Sequence, residues 1–175
     1  MANALGYENF VHEYVLTKVS KWCSELDTLA SFATSEPHAA YAAYAFGFKG
    51  KWNFLQRTIP NTGKLFEPLQ KVLTDIFIPK LTGHKHNQIE REILSLPARN
   101  GGLGISNPME TAPHAFSDSI QITKELRERI KNQSWLPPNI NYMKEEKKKV
   151  IRKKRERDKK KLLHLKEKID PHPKT

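Results

Sequence analysis

The sequence predicts an all-α fold: a small helical domain of four to five helices followed by a protruding basic helix. Three observations predict it. Apolar residues recur at helical spacing in segment after segment, no alternating strand pattern of useful length occurs, and Pro or Gly punctuates the helical stretches at intervals. One short extended piece is expected at 103–106. The domain is expected to occupy residues 1–138 and the basic tail residues 139–175.

The first helix is expected over 10–33, where Val11, Tyr14, Val15, Val19, Trp22, Leu26, Leu29 and Ala30 share a face. Glu36-Pro37 breaks it, and Pro37 suits the first turn of a second helix running to Thr58. Ala39, Ala40, Ala42 and Ala43 allow close packing there, and Gly47 and Gly50 predict a kink. After the turn Asn61-Thr62-Gly63, a third helix points Leu65, Leu69, Val72, Leu73, Ile76 and Phe77 inward. Pro79 and Leu81-Thr82-Gly83 are expected to close it. A short helix over 86–94 stops at Leu96-Pro97. Residues 98–106, with three glycines, read as a loop held by Leu103 and Ile105. Asn107-Pro108 reads as a cap followed by proline at the first helical position. The last body helix carries Ala115, Ile120, Ile122, Leu126 and Ile130, and Trp135-Leu136-Pro137-Pro138 ends the domain.

Charge divides the chain in two. Through Met143 there are 15 Lys/Arg against 13 Asp/Glu, a net +2; from Lys144 onward there are 15 against 6, a net +9. The body can therefore fold around a core, and the tail cannot. Residues 144–169 lack Gly and Pro and are rich in helix formers, with apolar residues too sparse for a continuous stripe. A solvated, partly frayed helix is expected, with pairs Glu145–Lys149 and Glu156–Lys160, and a disordered end at Asp170-Pro171-His172-Pro173.

Catalysis finds little support in the residues. Polymerase chemistry needs paired carboxylates to hold two metal ions, and no Asp-Asp pair occurs. No phosphate-binding loop ending in Lys-Ser or Lys-Thr is present. Gly101-Gly102-Leu103-Gly104 follows no strand and reads as a loop of special backbone geometry. His84 and His86 have no third ligand nearby, and the single cysteine, Cys23, reads as a small buried hydrophobe. His38 and His114 have no visible catalytic partner. The expectation is a non-enzyme without metal or cofactor. With one cysteine, no secretory pattern at the N-terminus and no apolar run of membrane-spanning length, an intracellular, membrane-free protein is expected.

The tail pulls toward a partner. Residues 147–161 hold eleven cations (Lys147, Lys148, Lys149, Arg152, Lys153, Lys154, Arg155, Arg157, Lys159, Lys160 and Lys161) against two acids. Such density favours phosphate backbones by counterion release, so RNA or DNA bound without sequence preference is the expected partner. No aromatic residue lies between these charges to stack on bases. A solvated charged helix or a nuclear-import signal uses the same residues. A helical protein-interaction module stays open as an alternative.

Scattered motifs carry a resemblance. They are Pro37-His38-Ala39-Ala40-Tyr41, Lys51-Trp52, Arg57-Thr58-Ile59-Pro60, Leu69, Ile78-Pro79, Leu81-Thr82-Gly83, Leu96-Pro97-Ala98-Arg99, Gly101-Gly102-Leu103-Gly104-Ile105, Asn107-Pro108, Ser119 and Gln133. In this order they resemble a segment downstream of the palm in retrotransposon reverse transcriptases (RNA-directed DNA polymerases), over roughly residues 10 to 134. The resemblance implies helical elements that flank a template-primer duplex, as a thumb does. The palm with its catalytic aspartates is absent, so no catalytic residue carries over. A thumb-like role would turn Lys49, Lys51, Arg57 and Arg99 toward nucleic acid. A remnant without selected function is a further alternative. Removal from a palm would also expose an apolar patch, expected at Tyr41, Tyr44, Phe48 and Trp52 or around Phe66.

Overall fold

The computed structural model describes residues 8–169. They are mostly helical, with no strand among them. The long first helix, α1 (Glu8–Ala33), is the spine; it buries Val15, Val19, Trp22, Leu26, Ala30 and Ala33 at steps of three and four residues. Against it pack α2 (Pro37–Phe46) and the helical rod that begins at α4 (Glu67–Val72).

The expected second helix divides. After α2 comes a 3-10 turn (Phe48–Gly50) and then α3 (Asn53–Thr58). The break falls at the two glycines, and Gly47 has a packing reason to be glycine, since a Cβ there would stand 3.1 Å from the Ala43 carbonyl. Tyr44, Phe48 and Trp52 turn inward from this segment and meet Trp22 and Phe77; the Tyr44 and Phe77 ring centroids are 5.1 Å apart. The expectation that this stripe or Phe66 is exposed is therefore overturned. Tyr44, Phe48, Trp52 and Phe66 are core residues, and Tyr41, only half-buried, donates its hydroxyl to the Leu103 carbonyl at 2.8 Å. Aromatic side chains this large stabilise most when buried, and α1 supplies the partner surface.

The third helix passes through Pro79 and closes at Leu81-Thr82-Gly83, as expected. From α4 it continues through a π turn (Leu73–Phe77) into α5 (Ile78–Thr82). Proline at 79 cannot donate to the Asp75 carbonyl, and the widened turn absorbs the missing bond. Gly83, in the left-handed region at φ 81°, ends the rod and donates its N–H to the Pro79 carbonyl.

The short helix α6 (Gln88–Ser95) starts at a capping box formed by Asn87 and Glu90. Beyond it the glycine loop folds back onto the helix end. The Leu103 and Ile105 N–H groups donate to the Leu94 carbonyl, and the Gly104 N–H donates to Leu96. Gly102 is dictated by this closeness, because a Cβ there would fall 2.1 Å from the Leu96 carbonyl oxygen. The loop reading holds, with Ile105 fully buried as its anchor.

Asn107 caps α7 (Pro108–Ile122) by accepting the Met109 N–H, with Pro108 in the first turn, as the sequence predicts. Buried Gln56 ties α3 to that helix start through the Pro108 carbonyl at 2.9 Å. The last body helix is broken at Thr123, and α8 (Lys124–Lys131) follows. Its Ile130 points to solvent, contrary to the periodic reading, because no element covers that side of the short helix.

Finally, α9 (Ile140–Ile169) starts a turn earlier than predicted and does not protrude: it lies against α7 and α6. The expected pairs Glu145–Lys149 and Glu156–Lys160 do not form. Glu146 takes Lys149, and Glu156 stands 3.9 Å from Arg152. The expected disordered end lies outside the described residues.

Candidate nucleic-acid interface

The basic helix has two unlike faces, and the body decides which is which. On α7, Glu110, Asp118 and Gln121 recur at helical spacing and look toward α9. Arg157 bonds Asp118 at 3.1 Å, and Lys161 stands 3.7 Å from Glu110. Lys153 donates to the Gln121 amide oxygen at 2.9 Å, while that amide's nitrogen donates to Glu146 at 2.7 Å. The order 110, 118, 121 against 161, 157, 153 makes α7 and α9 antiparallel. From the other flank, Arg99 pairs with Asp158 and Glu92 stands 3.9 Å from Lys168. Val150 and Leu165 are the buried apolar residues of α9, and both lie outside the main core.

Lys149, then Gln121, bond the Glu146 carboxyl and hold it below the usual carboxylate range; in return Lys149 is raised. Glu146 is buried, so this small network fixes the first turns of α9 to α7.

The eleven predicted cations therefore separate. Lys153, Arg157 and Lys161 are spent on the body. Lys148 and Lys149 pair with Glu145 and Glu146 along the helix, and Arg152 stands near Glu156. Lys147, Lys154, Arg155, Lys159 and Lys160 make no ion pair or hydrogen bond among the described residues, and all five are exposed. At about 1.5 Å per residue, Lys147 to Lys160 span roughly 20 Å of α9, so these charges are spread along and around the helix and not gathered in one cluster.

In the body, the four residues of the thumb-like expectation also separate. Lys51 is bonded to Glu25 at 2.5 Å and Arg99 to Asp158, while Arg57 is exposed and Lys49 half-buried. His84 and His86 stack at 4.1 Å, and no group of three metal-ligating side chains occurs among the described residues. Cys23 packs against the core, and burial pushes its thiol up. No described helix is long and apolar enough to cross a membrane.

Sequence reasoning missed two features. Arg91 is buried: it donates to the Ile105 carbonyl at 2.7 Å and to Thr74 at 3.3 Å, joining α6, the glycine loop and the π turn. Nothing in its spacing on an amphipathic helix distinguishes it from a solvated arginine. The second is the α8–α9 corner. There Glu125 accepts the Asn139 N–H at 3.0 Å, Arg129 bonds both Glu125 and the Leu136 carbonyl, and Trp135 is left 100% exposed. The sequence shows this tryptophan as the end of a domain, with no sign that its ring would be left uncovered.

Compared with protein families, with curated proteins and with solved structures, the chain matches none of them.

Proposed function

We propose that this chain is a non-catalytic helical piece of a retrotransposon reverse transcriptase that holds RNA or DNA by the phosphate backbone, without sequence preference. The observation that carries the reading is the sorting of cations on α9. Cations next to the body are neutralised against Glu92, Glu110 and Asp118, while Lys147, Lys154, Arg155, Lys159 and Lys160 stay exposed and unpaired among the described residues. Pairing with the body holds the helix in place, so the unpaired charges are presented at fixed positions along it. The order of motifs in the body supports the retroelement origin.

The test is binding of labelled RNA and duplex DNA by the full chain across a salt series. If the five free cations engage duplex phosphates, log K should fall against log salt with a slope of about −4 to −5. Replacing Lys147, Arg155, Lys159 and Lys160 together by Gln should flatten that slope by about three to four while leaving the fold intact. A slope unchanged by these substitutions moves the site off α9, and no binding at low salt rejects the reading.

A further inference from the structure

The corner at the head of α9 adds to this site what a run of cations lacks. Trp135 is fully exposed, although the loop that carries it is pinned by the Arg129–Leu136 and Glu125–Asn139 hydrogen bonds. A large aromatic ring held in water by an ordered loop has a flat face free for a ligand. In the first turn of α9, Tyr142 is 38% exposed, so a second ring stands on the same helix that carries the cations. Phosphate contacts alone do not distinguish paired from unpaired strands. Exposed rings beside a basic track do, because only unpaired bases can stack on them.

We infer that the corner and the first turns of α9 form a single-strand site, in which an unpaired base stacks on Trp135 while the following phosphates track along α9. The inference rests on the phosphate-backbone reading above. Leu136 and Ile140 are also exposed and would suit a lipid surface. Tyr142 nevertheless lies on α9 itself, five residues before Lys147, and not on the loop that carries Trp135, which favours a strand running onto the helix over a plane.

The molecule contains its own probe. Of the three tryptophans, Trp22 and Trp52 are buried and in ring contact, so solvent-exposed emission comes from Trp135. An unstructured oligouridylate or oligothymidylate added to the full chain should quench that emission. Trp135→Ala should lose about 5- to 100-fold in single-strand affinity, with duplex affinity unchanged, and Trp135→Phe should keep most of it. The substitution sits in solvent, so folding is not at stake. Equal single-strand affinity in wild type and Trp135→Ala overturns the stacking site while the backbone reading survives through duplex binding. Absence of both single-strand and duplex binding in the wild type overturns the two together. A blue shift on anionic vesicles, with no response to oligonucleotides, overturns the inference in favour of a membrane surface.

Discussion

Tyr44 carries a hydroxyl that finds no hydrogen-bond partner among the described residues, on a ring that is otherwise fully buried. Burial, with Tyr41 adding to it and Arg91 opposing, pushes its phenol well above the ordinary value. An unsatisfied buried polar group costs about 1–3 kcal/mol, so Tyr44→Phe should raise stability by about 1 kcal/mol, measured by denaturant unfolding. A loss of stability would mean that the hydroxyl is in fact bonded in solution. Gly102 argues in the opposite direction. Alanine there would drive its Cβ into the Leu96 and Ile93 carbonyls and reopen the loop, at a cost of about 2–3 kcal/mol or more. On a chain of this length that is a melting temperature lower by about 5–10 °C. The glycine run was legible in the sequence as special backbone. Which of the glycines answers to close packing was not, because the carbonyls it approaches belong to α6. Arg91 was illegible for a similar reason: what buries it is the loop of Ile105 and the turn of Thr74.

Among the elements, α9 departs most from its sequence reading. Its helical character follows from composition. Its docking does not, because the acids that hold it lie some 40 to 75 positions earlier at unremarkable spacings. The inner and outer cations should behave differently under mutation. Arg157→Gln and Lys161→Gln should loosen α9, raising its amide exchange, with each pair worth at most about 1 kcal/mol in its partly exposed setting. Outer substitutions should leave exchange alone and change only nucleic-acid affinity. Acid should loosen the same element. The Glu146 carboxyl is held low by Lys149 and Gln121, and Glu125 by the Asn139 N–H and then Arg129. A carboxylate with a lowered folded pKa stabilises the fold above its unfolded value, near 4.3 for glutamate, and that contribution disappears as pH falls through the folded value. Local opening, taken from exchange after the intrinsic pH dependence is divided out, should therefore stay flat from pH 7 to about pH 5 and then rise first in α9 and the α8–α9 corner. A rise in α1 at the same pH would contradict this.

Taken whole, the molecule is one aromatic and aliphatic core from Val15 to Ala112, with a polar, charge-matched layer outside it. Its all-helical class and its punctuation at Asn107-Pro108 and Gly83 were readable, since caps and breakers act locally. The exposed apolar surface was misplaced, since burial depends on which helices meet. The expected stripe is inside, and instead Phe32 lines a groove with Leu29, Ala43 and Phe48 between α1 and α2, and Phe46 is 92% exposed. An environment-sensitive apolar dye should bind there. Phe32→Ser with Phe46→Ser should remove most of that signal at little cost in stability, whereas a signal untouched by both would place the apolar surface at the Trp135 corner.

The antiparallel seam between α7 and α9 also has a consequence in time. The core is complete once Ala112 has been made, so the body can fold before α9 exists. At about 5–20 residues per second, the helix that neutralises Glu110 and Asp118 is synthesised some seconds after those acids. A nascent chain thus passes through an interval in which Glu110 and Asp118 have been made and their α9 partners have not. During that interval these acids stand without their cation partners, and the seam with α7 closes only when Arg157 and Lys161 have been made.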